Sequence, residues 1–313
     1  MSKMRYSVSV AVLCVSLSVS WTGYGFSSDP ITPEQVIALH LKSIGSPEAL
    51  AALKTLALVG TTSVDFIQGA HGNMSGTSMC VSDGNKLAIA FKYGDINYPG
   101  EYFAYNGKEV SVGYISPGQK SPLADFLFRN NGIMKEGLLG GVFSRGWPFL
   151  NLQQNQADLA YRETTIDGRR MHEIEYRPKK SLRDMKIKLY FDSETNRHVR
   201  TEYRVRVRDD MSAAPGGNAT RTGKFQTPGQ DTGGFSTLNQ GLPDSIYVLV
   251  EKFDDFKKVG SSDSALQATL PQSYTMEYSV EGQGQTFIAK WTMRAAQWAF
   301  NKTYDERIFE AQK

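Results

Sequence analysis

The stretch MKIKLYFDSETNRHVRTEYRVRV, residues 185–207, contains two alternating runs on either side of a short polar segment. In the first run Met185, Ile187, Leu189 and Phe191 alternate with lysines and a tyrosine. A strand points successive side chains to opposite faces, so such a run predicts one apolar face and one polar face. In the second run Val199 begins the apolar face. The segment SETN between the runs is rich in turn formers, and the whole stretch predicts a β-hairpin.

Similar hairpins are predicted along much of the chain, because short extended runs alternate with turn signals. Three dipeptides have the residue types of tight hairpin turns: Asp83-Gly84, Asn106-Gly107 and Asp167-Gly168. Near the end of the chain Phe287, Ala289, Trp291 and Met293 again mark one buried face of a strand. We therefore predict an antiparallel sheet, followed by a short turn, DERIF, docked on the sheet edge.

Helices are predicted from their start signals. Thr32 precedes Pro33, Gln35 completes a capping box, and Gly45 ends the helix. The same serine-before-proline start occurs at Ser46-Pro47 and at Ser121-Pro122. The last of these begins SPLADFLFRNN, whose apolar residues have helical spacing, so we predict a helix across one face of the sheet.

Residues 1–25 have the pattern of a secretory signal peptide. Lys3 and Arg5 precede an apolar run, residues 8–19, and cleavage is expected near Gly25. A membrane anchor is the alternative, but the run is far shorter than the roughly 20 residues of a spanning helix. We expect no transmembrane helix in the mature chain. Residues 26–313 are predicted to form a single domain, with a flexible insertion rich in glycine and proline at 213–241.

Composition and charge narrow the possible functions. The chain has 313 residues, 40% of them hydrophobic, and a formal net charge of +3. Removal of the signal peptide takes away Lys3 and Arg5 and lowers the net charge from +3 to +1. So small a positive charge gives no indication of a nucleic-acid partner, and we expect none. Cys80 is the only cysteine after residue 25, which excludes an intramolecular disulfide. The arginines that alternate along residues 200–208 suggest a polyanion site or, as we favour, a solvated outer face. On that face Glu173 and Glu175 of the neighbouring strand are expected to help balance Lys186 and Lys188.

Three stretches resemble the LolA/LolB-like family of periplasmic lipoprotein-sorting proteins, particularly its longer relatives. They are the start VIALHLKSIGSPEALAALKTLALVGTTSVDF, the middle LYFDSETNRHVRTEY, and the end FDDFKKV, LPQSYTMEY and FNKTYDERIF. The resemblance implies an α+β fold with a strongly curved antiparallel sheet, an incomplete β-barrel, and helices over its concave side. It also implies a ligand such as a lipid or the acyl chain of a lipoprotein, and a periplasmic or secreted location. The insertion at 213–241 departs from the short carriers of the family.

The stretch GLLGGVFSRGWPFL, residues 137–150, combines four glycines with seven large apolar residues. We name it the 137–150 segment. It either covers an apolar cavity on the open side of the sheet or fills that side as permanent core, and its glycines suit a mobile cover. We predict that five aromatic residues line the ligand site: Phe143, Trp147, Phe149, Tyr203 and Trp291.

The sequence shows no catalytic signature. No serine has the glycine spacing of a nucleophile elbow, and the four histidines are scattered, without metal-ligand spacing. No cofactor fingerprint is present. The favoured function is a non-catalytic periplasmic carrier of an apolar ligand. A structural or protein-interaction module of the envelope with a filled core is the alternative, and a secreted hydrolase built from dispersed residues is a third possibility.

Overall fold

The computed structural model describes residues 31–151, 157–179, 182, 184–207, 245–260, 266–282 and 285–311. The predicted signal peptide at 1–25 and the insertion at 213–241 lie outside these residues. The described residues from Thr32 onward belong to one compact unit. None of its described helices is both long and apolar enough to cross a membrane.

The described strands form one antiparallel sheet of twelve strands in the order β5-β4-β3-β2-β1-β12-β11-β10-β9-β8-β7-β6. The strands are β1 Thr55–Gln68, β2 Gly72–Asp83, β3 Lys86–Tyr93, β4 Gly100–Tyr105, β5 Val110–Val112, β6 Asp158–Ile166, β7 Arg169–Arg177, β8 Met185–Asp192, β9 His198–Val207, β10 Ser245–Val259, β11 Ala268–Gly282 and β12 Gln285–Phe300. The sheet is open, with β5 and β6 at its two edges.

The hairpin predicted at residues 185–207 is confirmed as β8 and β9. Its turn ends at Asn196, which has a φ of 56°, a left-handed conformation that asparagine tolerates. One detail of the prediction is wrong. A register shift next to Phe191 pairs Phe191 with His198, so His198 faces the core and is fully buried, whereas Val199 is only half-buried.

The helices begin where the sequence predicts. The first two are α1 Pro33–Ile44, in which Thr32 and Gln35 form the capping box, and α2 Pro47–Ala52. Next come α3 Pro122–Arg129, capped by Ser121, and the short α4 Gly132–Lys135. The 3-10 helix Gly141–Phe143 lies in the 137–150 segment, and the 3-10 helix Pro148–Asn151 begins in it and ends one residue beyond it.

The surroundings of Gly140 show that the sheet is strongly curved. Its N–H donates to Glu251 of β10 over 2.7 Å, and a Cβ placed on it would lie 3.5 Å from Cδ1 of Ile89 in β3. Those two strands are five steps apart in the sheet, about 24 Å if the sheet were flat. A single residue touches both only because the sheet wraps around it. The α+β class and the strongly curved antiparallel sheet are therefore confirmed.

Helices cover the concave side, as predicted. The ring of His40 in α1 lies 5.1 Å from that of Phe191 in β8. Helix α3 packs against β4 and β5, and the ring of its Phe126 lies 5.2 Å from that of Tyr278 in β11. The predicted helix across one face of the sheet is confirmed.

The C-terminal turn, predicted from the sequence to dock on the sheet edge, lies on a face of the sheet. The 3-10 helix Glu306–Phe309 packs on the outer, convex face of the sheet and not on its edge. Phe309 is buried there against Ala57, Val81 and Ala88, which belong to β1, β2 and β3. The prediction of edge docking is wrong because these three strands carry apolar residues on their outer face as well.

Farther along the outer face, charged residues of β6, β7 and β8 are paired. Glu173, although buried, accepts a hydrogen bond from Arg162 Nε at 2.8 Å and lies 3.1 Å from Lys188 Nζ. Glu175 Oε1 accepts one from Arg177 Nε at 2.9 Å. In β9, Arg200 pairs with Glu202 at 3.3 Å. Together these pairs support the interpretation of a balanced outer face over that of a polyanion site.

Candidate functional site

The 137–150 segment lies against the concave side of the sheet with its large side chains buried. Six of them are at most 3% exposed: Leu138, Leu139, Val142, Phe143, Trp147 and Phe149. The ring of Phe143 packs between Phe253 and Tyr274, at centroid distances of 5.9 and 5.6 Å. The segment therefore fills the concave side in this structure.

The five aromatic residues predicted to line a ligand site are all fully buried. Trp147 and Phe149 are in ring contact at 5.0 Å. Phe143 is linked to Trp147 through the rings of Phe253 and His198. It is linked to Tyr203 through Tyr274, since Tyr274 and Tyr203 both donate to Glu251. The fifth residue, Trp291, lies in a different cluster.

Trp291 lies in a second aromatic cluster. Its Nε1 donates to Tyr98 Oη over 2.7 Å, and its ring lies 6.5 Å from that of Phe66. Tyr98 Oη in turn donates to Glu101 Oε1 over 2.6 Å. Burial raises the pKa of Glu101 to about 7, although hydrogen bonds from Ser121 and Tyr98 oppose the shift. The predicted aromatic set is thus divided between two buried networks.

The other network is centred on Glu251. Its Oε1 accepts hydrogen bonds from Gly140 N at 2.7 Å and from Tyr274 Oη at 2.5 Å. Its Oε2 accepts one from Tyr203 Oη at 2.6 Å. Burial raises the pKa of Glu251 to about 7, while these three donors favour its charged form. The carboxyl connects the 137–150 segment to β9, β10 and β11.

The glycines of the 137–150 segment have a structural cause. Gly137, Gly140 and Gly141 have φ values of 70°, 78° and 48°, in the region that favours glycine. A Cβ on Gly137 would lie 2.0 Å from the carbonyl oxygen of Gly146, and one on Gly141 would meet the Phe253 ring at 2.8 Å. These residues are required by the packed conformation. Our inference that the glycines suit a mobile cover is therefore not needed to explain them.

Two buried histidines adjoin the segment. The ring of Trp147 stacks on His198 at 5.2 Å and meets His40 edge-on at 5.2 Å. His40 Nδ1 lies 3.1 Å from the N–H of His198 and 3.0 Å from the carbonyl oxygen of Asn196. Burial lowers the pKa of His40 to about 4 and that of His198 well below its usual value. Both rings are therefore neutral at pH 7.

The outer face of the sheet contains a groove of about 770 Å³ beside the C-terminal 3-10 helix. Its floor is one row of directly opposed residues across neighbouring strands: Val59, Met79, Ala90 and Tyr102. The row continues to Gln297 in β12, so it crosses four strand spacings, or about 19 Å. Val59 is 47% exposed, although it is apolar. The groove has the volume of a typical small-ligand site.

Our reasoning from the sequence missed this groove. A signal for it exists, because the outer positions in the middle of β1 to β3, such as Val59, Met79 and Ala90, are apolar where those of β8 and β9 are charged. The row next to the floor, Ala57, Val81, Ala88 and Ala104, is covered by the C-terminal turn. Apolar residues on both faces of a strand indicate that both faces are covered or bind something.

The residues around these places determine what they can hold. Among the residues that the structure describes, no group of three or more histidine, cysteine, aspartate or glutamate side chains is placed to hold a metal ion. The groove offers an apolar floor with charged side chains at its rim, among them Lys92 and Arg307. Such a surface suits an apolar molecule with one polar end.

Comparison with known proteins gives similar folds at low sequence identity. No family model matches the chain, and no curated protein matches it. Among solved structures, the chain is similar to a LolA superfamily protein from Nitrosomonas europaea, with 11% identity, a TM-score of 0.42, and coverage of 89% of this chain and 98% of that chain. That superfamily is the one that the sequence resembles.

Two further structures are similar to the chain. A DUF1329 family protein from Desulfovibrio piger has 10% identity and a TM-score of 0.40, and the match covers 88% of this chain and 95% of that chain. A structure of the MucA/MucB complex from Pseudomonas aeruginosa has 11% identity and a TM-score of 0.22, with coverage of 83% and 94%. At such identities, none of these structures assigns a role to a residue of this chain.

Proposed function

We propose that this protein is a non-catalytic binding protein of the cell envelope that takes up an apolar ligand, such as a lipid acyl chain, in the periplasm. The observation that supports this most is the groove on the outer face, whose row of apolar residues stays partly exposed beside the covered row. An open apolar floor of this length costs free energy in water, at about 25 cal/mol per Å² of exposed apolar area. Occupation by a ligand would remove that cost.

The concave side is proposed as a ligand site only for a state in which the 137–150 segment has moved. In that state Tyr203 would line the vacated space, and Phe143, Trp147 and Phe149 would cover the ligand from the displaced segment. Trp291, the fifth predicted residue, would line the space where it reaches the Tyr98 cluster. The complete burial of these side chains favours the alternative for this side of the sheet, a filled core. The groove and the concave side can be tested separately, because they lie on opposite faces.

The test is to purify the mature protein from its own envelope and examine it by native mass spectrometry, with lipid analysis after solvent extraction. Binding of a fluorescent fatty acid is measured in parallel. Ala90→Trp fills the middle of the groove floor, and Ala160→Trp, at an exposed position of β6, is its matched control. We expect the wild type and Ala160→Trp to bind, and Ala90→Trp to lose at least tenfold in affinity.

Two results would contradict the proposal. A wild-type protein that is empty and binds no probe is not a carrier, and a protein partner should then be sought. If Ala90→Trp binds as well as the wild type, the ligand lies elsewhere. Trp147→Ala then tests the concave side, since loss of binding in that variant would support a site beneath the 137–150 segment.

A further inference from the structure

The groove is bordered on its two long sides by rows of different character. On one side is the covered row beneath the C-terminal turn. On the other side lies a polar row in which Thr61, Thr77 and Lys92 oppose one another across β1, β2 and β3. Thr61 also opposes Arg294 of β12. This row therefore has two cations and no acidic residue at these four positions. Lys92 lines the groove, and Arg294 lies just beyond its lining.

Lys92 is the cation that borders the floor most directly. It lines the groove, is exposed, and lies two residues from Ala90 on the same face of β3, about 7 Å along the strand. No described residue forms an ion pair with Lys92. Arg307, at the opposite rim, is already paired with Asp305. The ammonium group of Lys92 is therefore available to a ligand, whereas the guanidinium of Arg307 is engaged.

Two acidic residues line the groove. The side chain of Glu101 is buried and accepts a hydrogen bond from Tyr98, whereas Glu310 lies at the other end of the strands. Glu310 accepts a hydrogen bond from Asn106, which follows the last residue of β4. Lys92 opposes Gly100, the first residue of that strand. Six residues of extended chain separate these two ends, about 20 Å. The groove is thus polarised, with its free positive charge far from the exposed carboxylate of Glu310.

From this arrangement we infer that the ligand is a single-chain amphiphile with an anionic headgroup, whose chain lies on the row from Val59 to Tyr102 and whose headgroup pairs with Lys92. This inference rests on the proposed function, and it adds the charge and orientation of the ligand. A neutral apolar molecule would use the floor alone. A cationic amphiphile would place its charge beside Lys92 or Arg294 and be repelled.

The experiment compares dodecanoate with dodecanol, which has the same chain without the charge, by isothermal titration calorimetry below their micelle or solubility limits. The wild type should bind dodecanoate about fivefold tighter, the effect of one partly exposed ion pair. Lys92→Gln should remove that difference, because it should lower the affinity for dodecanoate and leave the affinity for dodecanol unchanged. Lys108→Gln, an exposed lysine in the β4–β5 turn, is the matched control and should change neither affinity. Added salt should weaken dodecanoate in the wild type and leave dodecanol unaffected.

The outcomes separate this inference from the proposed function. Binding of both probes with equal affinity, unchanged by Lys92→Gln, would overturn the anionic headgroup and leave apolar binding intact. Binding of neither probe would overturn both. A dimer in sedimentation analysis that Ala90→Trp converts to monomer would identify a second copy of the chain as the occupant of the groove, and would also overturn the inference.

Discussion

The backbone N–H of Gly140 donates a hydrogen bond to Oε1 of Glu251 over 2.7 Å, in the buried interior of the curved sheet. This bond joins the 137–150 segment to the central strand β10, and Tyr203 and Tyr274 complete the set of donors. One carboxyl thus satisfies three buried donors from three different parts of the chain.

Replacement of Glu251 by leucine should therefore destabilise the protein by about 3 kcal/mol or more. The side chain of leucine accepts no hydrogen bond, and each donor left unpaired in the interior costs about 1 to 3 kcal/mol. Urea denaturation measures the change. Glu277→Leu, which removes only a surface pair with Lys252 at 3.3 Å, is the control and should cost less than about 1 kcal/mol. Equal effects of the two substitutions would contradict the role of Glu251.

The dependence of stability on pH provides a second prediction, because buried carboxyls and buried histidines act in opposite directions. Burial raises the pKa of Glu251 and Glu101 from 4.5 to about 7, so the folded state binds their protons more tightly. The stability they add is complete below pH 4.5 and is lost as the pH rises through about 7. Burial lowers the pKa of His40 from 6.5 to about 4, so its effect is the reverse: stability is lost as the pH falls below 6.5.

Burial also lowers the pKa of His198 well below its usual value, so two histidines oppose the two carboxyls. Between pH 4.5 and 6.5 these four contributions largely cancel in the wild type. Glu251→Gln removes one of the two carboxyls. The free energy of unfolding of this variant should therefore rise with pH, relative to that of the wild type, by about 1.4 kcal/mol per pH unit. His40→Gln should tilt the profile the other way. Urea denaturation at several pH values in this window measures both slopes. Profiles of the two variants that run parallel to the wild type would show that these groups are not buried as described.

Sequence reasoning succeeded where the pattern is local. The capping box of Thr32 and Gln35 and the alternation in β8 specify their elements through neighbouring residues, and the structure confirms both. The position of Val199 was wrong because one register shift next to Phe191 exchanges it with His198. A shift of this kind depends on pairing between strands, which alternation within one strand does not contain.

The candidate sites were harder to predict because they depend on which distant strands meet. Burial of Trp291 was recognisable from alternation, but its partner Tyr98 is 193 residues away in the chain and belongs to a separate cluster. The groove was missed because residues such as Met79 and Ala90 occupy what alternation takes for the solvent side. Glycines were informative about backbone geometry and not about mobility, as Gly137 shows.

A third prediction follows from the fit of Gly137. Gly137→Ala should destabilise the protein by more than about 2 kcal/mol, since the new Cβ would meet the Gly146 carbonyl oxygen at 2.0 Å and backbone must shift. Gly168 has nearly the same backbone conformation, with φ values of 78° against 70°, but a Cβ added to it would have no other atom within 4 Å. Gly168→Ala should therefore lower the free energy of unfolding by only about 1 kcal/mol, the cost of placing alanine at a positive φ. Equal costs, measured by urea denaturation, would mean that the 137–150 segment is loosely held.

The C-terminal turn gives the last prediction, in which packing and charge are separated. Phe309 is 1% exposed and covers Ala57, Val81 and Ala88, so Phe309→Ala should cost about 3 kcal/mol. Glu306 is close to Phe309 and pairs with Lys86 at 2.6 Å, but its side chain is 71% exposed. Because an exposed pair contributes little, Glu306→Gln should cost less than about 1 kcal/mol.

Fatty-acid binding provides a second measurement on the same two variants. The C-terminal 3-10 helix forms one wall of the groove, and Phe309 holds that helix against the sheet. Phe309→Ala should therefore weaken binding of the fatty acid, whereas Glu306→Gln should not. The titration is done at a temperature where both variants remain folded by circular dichroism. If Phe309→Ala unfolds easily yet binds the probe with wild-type affinity, the C-terminal turn serves stability alone and the groove does not depend on it as a wall.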